Sequence, residues 1–193
     1  MLCLNYPDDA IKALKLHPMR GGYDGTGVQE ITNEAGVNKA MLYYYFKSKE
    51  ELYDSLLDEG IDKLAKAVAA SEGEGFSLEE RLRRFLDSYL SAAISHPDLA
   101  ILICSELVGM RGLKRRRVVD KVSDTIKQLT ALLTTAREKK EVREEDPSFA
   151  AYALFGIVTI FISRHLLKQQ ELEPKLLIDR IVDLYLHGLG VRS

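Results

Sequence analysis

Cysteine is scarce in this chain of 193 residues: Cys3 and Cys104 are its only two. They are too far apart to make a metal-ligand spacing, and they fit a protein of a reducing compartment. The plain reading of Cys104 is a buried thiol. Excess charge is missing too. A net charge of −2 argues against the long basic surface of a nonspecific nucleic-acid binder. It still allows a compact reading head on a neutral or acidic body, because the charge that matters is local. The opening Met-Leu-Cys-Leu-Asn-Tyr-Pro has no basic leader and too short an apolar run for a signal peptide. A cytoplasmic protein is expected. The richest apolar stretch, Phe149 to Ile162, falls short of the ~20 residues a membrane span needs, so no membrane partner is expected.

Catalytic signatures are lacking as well. There is no phosphate loop, no Gly-x-Gly-x-x-Gly after a strand, no His-Glu-x-x-His and no nucleophile elbow. The histidines, His17, His96, His165 and His187, are scattered. Paired glutamates such as Glu79-Glu80 and Glu144-Glu145 sit at helix starts or turns, where charge is ordinary. Neither an enzyme nor a cofactor or metal site is expected. What the chain does have, at 46% hydrophobic and 29% charged residues, is the composition of a folded protein rather than a disordered one.

The most informative stretch runs from Tyr23 to Leu52. Thr26 is a candidate cap for a first helix, with Gln29 completing a capping box. Val28, Ile31 and Ala35 repeat at helical spacing. Gly36 stands where a left-handed residue ends a helix. Asn38 then caps a second helix, whose inward positions are Leu42 and Phe46. Helix, tight turn and helix make the helix-turn-helix shape. Lys39, Ala40, Met41, Tyr43, Tyr44 and Lys47 lie around and outside the Leu42/Phe46 stripe. Small and basic residues at a helix N-terminus, followed by Tyr hydroxyls and lysines, suit a major groove: the first turn near base edges, Tyr and Lys on phosphates. An ordinary helical hairpin whose tyrosines pack on a neighbour has the same spacing.

The run resembles the DNA-binding signature of the tetracycline-repressor (TetR) family. The resemblance is carried by Gly22, Tyr23, Gly25, Thr26, Val28, Ile31, Ala35, Gly36, Val37, Leu42, Tyr43, Phe46, Lys47, Lys49 and Leu52. It departs at Thr32, Asn38 and Tyr45, where the family usually has Ala, Ser and His, and at Ala40 and Met41, in the places of Gly and Thr. A Met at that position removes a hydroxyl and offers a thymine methyl an apolar partner instead. What the resemblance implies is an all-α chain: a three-helix DNA-binding head over residues 1–47, then a helical ligand-binding and dimerisation body over 48–193. Lys39, Ala40 and Met41 would face bases, with Asn38 at the head of their helix. Thr26, Tyr43, Tyr44, Lys47 and Lys49 would hold phosphates of double-stranded operator DNA.

Residues 8–22 fit that pattern least. Ala10 to Leu16 could be helical, but His17 stands in place of an aromatic and Pro18 breaks the helix, at a cost on the order of 3 kcal/mol for an interior position. A helical ligand-binding or interaction protein with a degraded reading head is the alternative this segment raises.

The rest reads as helix. Ser48 and Glu51 form a capping box ahead of Leu52, Leu56, Leu57, Ile61, Leu64 and Val68. Gly73-Glu74-Gly75 is a loop. Ser77 and Glu80 form another box ahead of Leu82, Phe85, Leu86, Tyr89, Leu90 and Ala93. His96-Pro97 breaks the chain before an apolar helix over Leu99 to Met110. A basic cluster from Arg111 to Lys121, either a solvated helix face or a phosphate contact, leads into a helix with Val118, Val122, Ile126, Leu129 and Leu133 inward. Asp146-Pro147 opens a helix that is apolar all round and so must be buried on all sides. Pro174 opens the last helix. The resemblance implies that these two helices meet their symmetry mates in a four-helix homodimer interface, with Leu154, Ile157, Phe161, Ile178, Ile181 and Tyr185 as candidates. It also implies a small-molecule effector site between the central helices, with Tyr89, Cys104, Leu107, Met110, Tyr152, Phe155 and His165 as candidate lining. Taken singly, each could be plain core. The function expected is a ligand-responsive regulator, a repressor released from its operator by a small hydrophobic molecule.

Overall fold

The computed structural model describes residues 27–36, 38–73, 75–108, 116–142, 146–168 and 171–188. Among these every regular element is an α-helix. The helix expected over Ala10 to Leu16, Thr26, Met110, Arg111, Lys114, Arg115 and Leu189 lie outside the described residues.

The head contributes α1 (Val28–Ala35) and α2 (Lys39–Tyr45). Gly27, not Thr26, is the cap of α1: its extended backbone (φ −78°, ψ 149°) donates its N–H to the Glu30 carboxylate at 3.3 Å. Gln29 instead reaches forward, its Nε2 donating to Asn33 Oδ1 at 3.0 Å. Gly36 ends α1 at φ 66°, ψ 22°, a left-handed conformation that costs glycine nothing and a Cβ-bearing residue ~1 kcal/mol or more. Asn38 caps α2, its Oδ1 accepting the Ala40 N–H at 2.9 Å. Leu42 and Phe46 point inward and are buried.

The body follows as α3 (Lys49–Ala69), α4 (Leu78–Ser95), α5 (Pro97–Val108), α6 (Arg116–Glu138), α7 (Pro147–Lys168) and α8 (Pro174–His187). Ser48 Oγ accepts the Glu51 N–H at 3.1 Å. The reciprocal bond lands one residue upstream of a capping box, with the Lys47 N–H donating to the Glu51 carboxylate at 2.6 Å. That bond ties the end of the head to the first turn of α3. Ser77 and Glu80 make the full reciprocal box on α4. The break at His96 is a single residue, because Pro97 serves as the first residue of α5, where its missing N–H costs nothing. Asp146 Oδ1 accepts the N–H groups of Ser148 and Phe149 at the start of α7.

Helix α3 is the axis of the body. It packs on α4, α5 and α6, while α6 lies along α7 and α8 rests on α4 and α7. Leu52, Leu56, Leu57, Ile61, Leu64 and Val68 of α3 are all buried, as are the inward residues of α4. Each such leucine contributes about 1.5–3 kcal/mol by leaving water. Leu42 and Phe46 belong to the same continuous core, so head and body share it. On the surface, Arg83 bridges Glu79 of its own helix to Asp179 of α8.

The apolar stretch of α7 proves longer than its sequence pattern indicates. Residues Pro147–Leu166 pass for a membrane span by length and composition, with a mean hydropathy of 1.6. Packing argues for a different role. One face (Ala151, Leu154, Phe155, Val158, Ile162) is buried in the chain's own core, yet only 33% of the stretch is buried overall. A second apolar face is left open.

Candidate DNA-reading head and ligand cavity

Caps at both ends of the turn set the presentation of α2. With Asn38 holding the first turn and Leu42 and Phe46 anchored below, the outer residues have nowhere to point but out. Lys39, Ala40 and Lys47 are exposed, Met41 and Lys49 half-buried. Tyr43 is 43% exposed and Tyr44 80%. The Tyr44 and Tyr45 rings meet edge to face, 5.2 Å apart at 88°, so Tyr44 projects from a braced base. The first turn of α2 has no acidic residue. Asn38 uses its side-chain oxygen on the cap, which makes it an organiser of the helix start. This face combines small, apolar, phenolic and cationic groups within one short helix.

In the body, α3, α4 and α5 enclose a cavity of ≈ 30 Å³. Helix α3 supplies Gly60, Lys63 and Leu64; α4 supplies Tyr89, Ala92 and Ala93; α5 supplies Leu99, Ala100, Ile103 and Cys104; His96 and Ile162 complete the lining. The walls are almost wholly apolar. Gly60 is what lets α5 come so close: a Cβ there would sit 2.6 Å from Ile103 Cδ1. Lys63 and His96 are the basic members of the lining, and both are half-buried. Lys63 faces Glu59 at 3.6 Å.

The inner wall carries the polar groups. Tyr89 Oη and Thr159 Oγ1 share a hydrogen bond of 3.2 Å. Burial raises the Tyr89 hydroxyl far above the ordinary phenol range, so it stays protonated. Burial likewise raises the Cys104 thiol, with the Ser163 hydroxyl opposing that shift. Cys104 is therefore a thiol and a poor nucleophile. Ser163 donates onward to the Thr159 carbonyl at 2.9 Å.

Of the residues proposed for this site from sequence, Tyr89 and Cys104 line it. Phe155 lies one layer behind, its ring stacked on Tyr89 at 5.8 Å and 15°. Leu107 and His165 are half-buried away from the lining. Tyr152 is 55% exposed, on the open face of α7. Its helix is apolar all round, so only the neighbours decide which side is inward. Gly60, Lys63 and His96 were not foreseen. A glycine inside a helical pattern is a sign of close approach, and Gly60 carried that sign.

The interface candidates divide in the same way. Leu154 and Ile178 are buried in the core of their own chain, and Ile181 shows only at the floor of a groove. Ile157 and Tyr185 are half-buried and Phe161 is 37% exposed. The open apolar residues are instead Phe149 (64% exposed), Tyr152 and Ile160 (57%) along one side of α7, and Phe161, which shares a groove with Leu176 (42%) of α8. A groove of ≈ 300 Å³ runs between α7 and α8, its apolar floor edged by Glu171, Glu173 and Arg180. Among the described residues no group of three or more His, Cys, Asp or Glu side chains is placed to hold a metal.

Residues 19–56 match the family model for bacterial regulatory proteins of the tetR family. Residues 75–189 match that of the tetracyclin repressor-like C-terminal domain. The chain belongs to the TetR family. Its role is accordingly that of a ligand-responsive, DNA-binding transcriptional regulator.

Proteins similar to this TetR-family regulator include regulators of fatty acid metabolism. The fatty acid metabolism regulator protein of Bacillus subtilis is 23% identical over 169 residues, 87% of each chain. A solved Clostridium perfringens structure, described as a "putative fatty acid metabolism regulator", superposes with a TM-score of 0.85 and 26% identity, covering 95% of this chain and all of the other. The FadR regulator of Bacillus subtilis in complex with stearoyl-CoA shares the fold, with a TM-score of 0.80 and 22% identity over 95% of this chain and 99% of the other.

Proposed function

We propose that this chain is a homodimeric repressor that leaves its operator when a fatty acyl compound enters the cavity beside α3. The observation that carries the reading is the position of that cavity. Gly60, Lys63 and Leu64 of α3 form one wall, and α3 begins at the bond from Lys47 to Glu51 that holds the end of the head. A ligand that displaces α3 therefore displaces α2. The apolar walls suit an acyl chain, and partly exposed Lys63 and His96 suit an anionic head group at the opening. The kinship with fatty acid regulators points the same way.

In this reading Lys39, Ala40 and Met41 face bases, while Tyr43, Tyr44, Lys47 and Lys49 hold phosphates, together with Thr26. A second copy covers the open face of α7 and α8, and the two heads reach two half-sites. A coupling of about 1–3 kcal/mol, typical of allosteric pairs, would weaken operator binding about 5–150-fold. Fluorescence anisotropy tests this with labelled DNA from upstream of the protein's own gene. Specific, salt-sensitive binding that acyl-CoA relieves and free coenzyme A does not is the expected result. Operator affinity unchanged by every acyl chain length would sink the effector assignment.

A further inference from the structure

The cavity beside α3 is far smaller than an acyl chain. At ≈ 30 Å³ it has room for roughly two or three water-sized groups. Tyr89 is the aromatic member of its lining. The Tyr89 ring stands between the cavity and the packed seam of α4 and α7, stacked on Phe155 and on Phe85, each with centroids 5.8 Å away. Its hydroxyl is held by Thr159. Turning the ring aside breaks both stacks and that hydrogen bond together. Cys104 lies near that hydroxyl, and a tail pushed past the ring would leave the buried Thr159 hydroxyl without the partner it has in Tyr89.

We propose that Tyr89 is the stop that sets how long an acyl chain this protein accepts, favouring short chains over long ones. The proposal rests on the acyl reading of the cavity given above. Chains that end before the ring are seated by small movements of Ile103 and Leu99. Longer chains must displace Tyr89 or leave their ends in water.

Calorimetric titration of the full-length protein with butyryl-, octanoyl- and stearoyl-CoA tests the proposal, using wild type, Tyr89→Ala, Tyr89→Leu and Tyr89→Phe. Wild type is expected to bind the shorter members more tightly. Tyr89→Ala should reverse the order and gain about tenfold or more for stearoyl-CoA, the equivalent of about two newly buried methylenes. Tyr89→Phe keeps the ring and should keep the wild-type order. If Tyr89→Ala does not fold, Tyr89→Leu carries the same test, because it shortens the wall without emptying it. A wild type that already prefers stearoyl-CoA, or an order unchanged by removing the ring, would overturn the stop. Absence of binding by any thioester to any of the proteins would overturn the acyl reading itself, and the stop with it.

Discussion

At the scale of single residues, the exposed face of α2 separates two kinds of contact. Tyr43 is 43% exposed and in the proposed docking holds a phosphate, whereas Met41 lies half-buried nearer the helix start. Tyr43→Ala should therefore weaken binding to all DNA sequences by a similar factor, measured by anisotropy on specific and unrelated duplexes. Met41→Thr should instead change which sequences a selection from random DNA recovers, because it exchanges an apolar contact for a hydroxyl. A Tyr43 variant of undiminished affinity would count against this docking. Glu80 gives a residue-scale prediction for stability. Hydrogen bonds from the Ser77 backbone N–H and hydroxyl pull its carboxyl below the ordinary 4.5. A depressed folded-state pKa stabilises above the unfolded value, and that stabilisation is lost as pH falls through the folded one. The gap in thermal midpoint between wild type and Glu80→Gln should thus hold steady from neutral pH down to about 4.5 and close in more acid solution.

At the scale of elements, α3 is where packing meets the proposed coupling of cavity to head. Gly60 sits mid-helix, a position where glycine costs about 1 kcal/mol relative to alanine. The structure shows what that cost permits, namely the approach of Ile103. Gly60→Ala should raise helix propensity while forcing the flexible end of Ile103 into the cavity it lines. Expected are a thermal midpoint at or above wild type and a weaker response to acyl ligand, read by titrating the operator complex. A variant that loses stability and keeps its ligand response would show that Gly60 serves packing alone. The helix boundaries followed local chemistry closely, with Ser77, Asn38 and Asp146 capping as their types suggest. The start of α1 did not. Glycine is a weaker cap than threonine by side-chain chemistry, yet Gly27 takes the role with the Glu30 carboxylate.

At the scale of the whole molecule, the open face of α7 is the feature a lone chain does not explain. Phe149, Tyr152, Ile160 and Phe161 place large apolar groups in water, and a surface patch of that kind marks an association site. Ile160→Glu should leave the fold of each chain intact, since Ile160 is 57% exposed, and halve the mass seen by light scattering. DNA affinity should fall with it, because a single head loses the benefit of a second half-site. A variant that remains a dimer would move the interface elsewhere.

By itself the sequence determined the helical class, the helix-turn-helix, nearly every cap and the inward faces of α3 and α4. These follow from interactions within a few residues, such as caps, a left-handed glycine and apolar positions repeating each turn. The tertiary structure alone decided which side of α7 is core and which is open. That helix is apolar all round, so its pattern holds no direction, and only contact with its neighbours, chiefly α6 and α5, supplies one. Hence within the chain Leu154 lies inside and Tyr152 outside, although both belong to the same apolar run. The cavity was beyond the sequence for the same reason. Its walls come from three successive helices and from Ile162 of α7, and a void is defined by where side chains from all of them stop short.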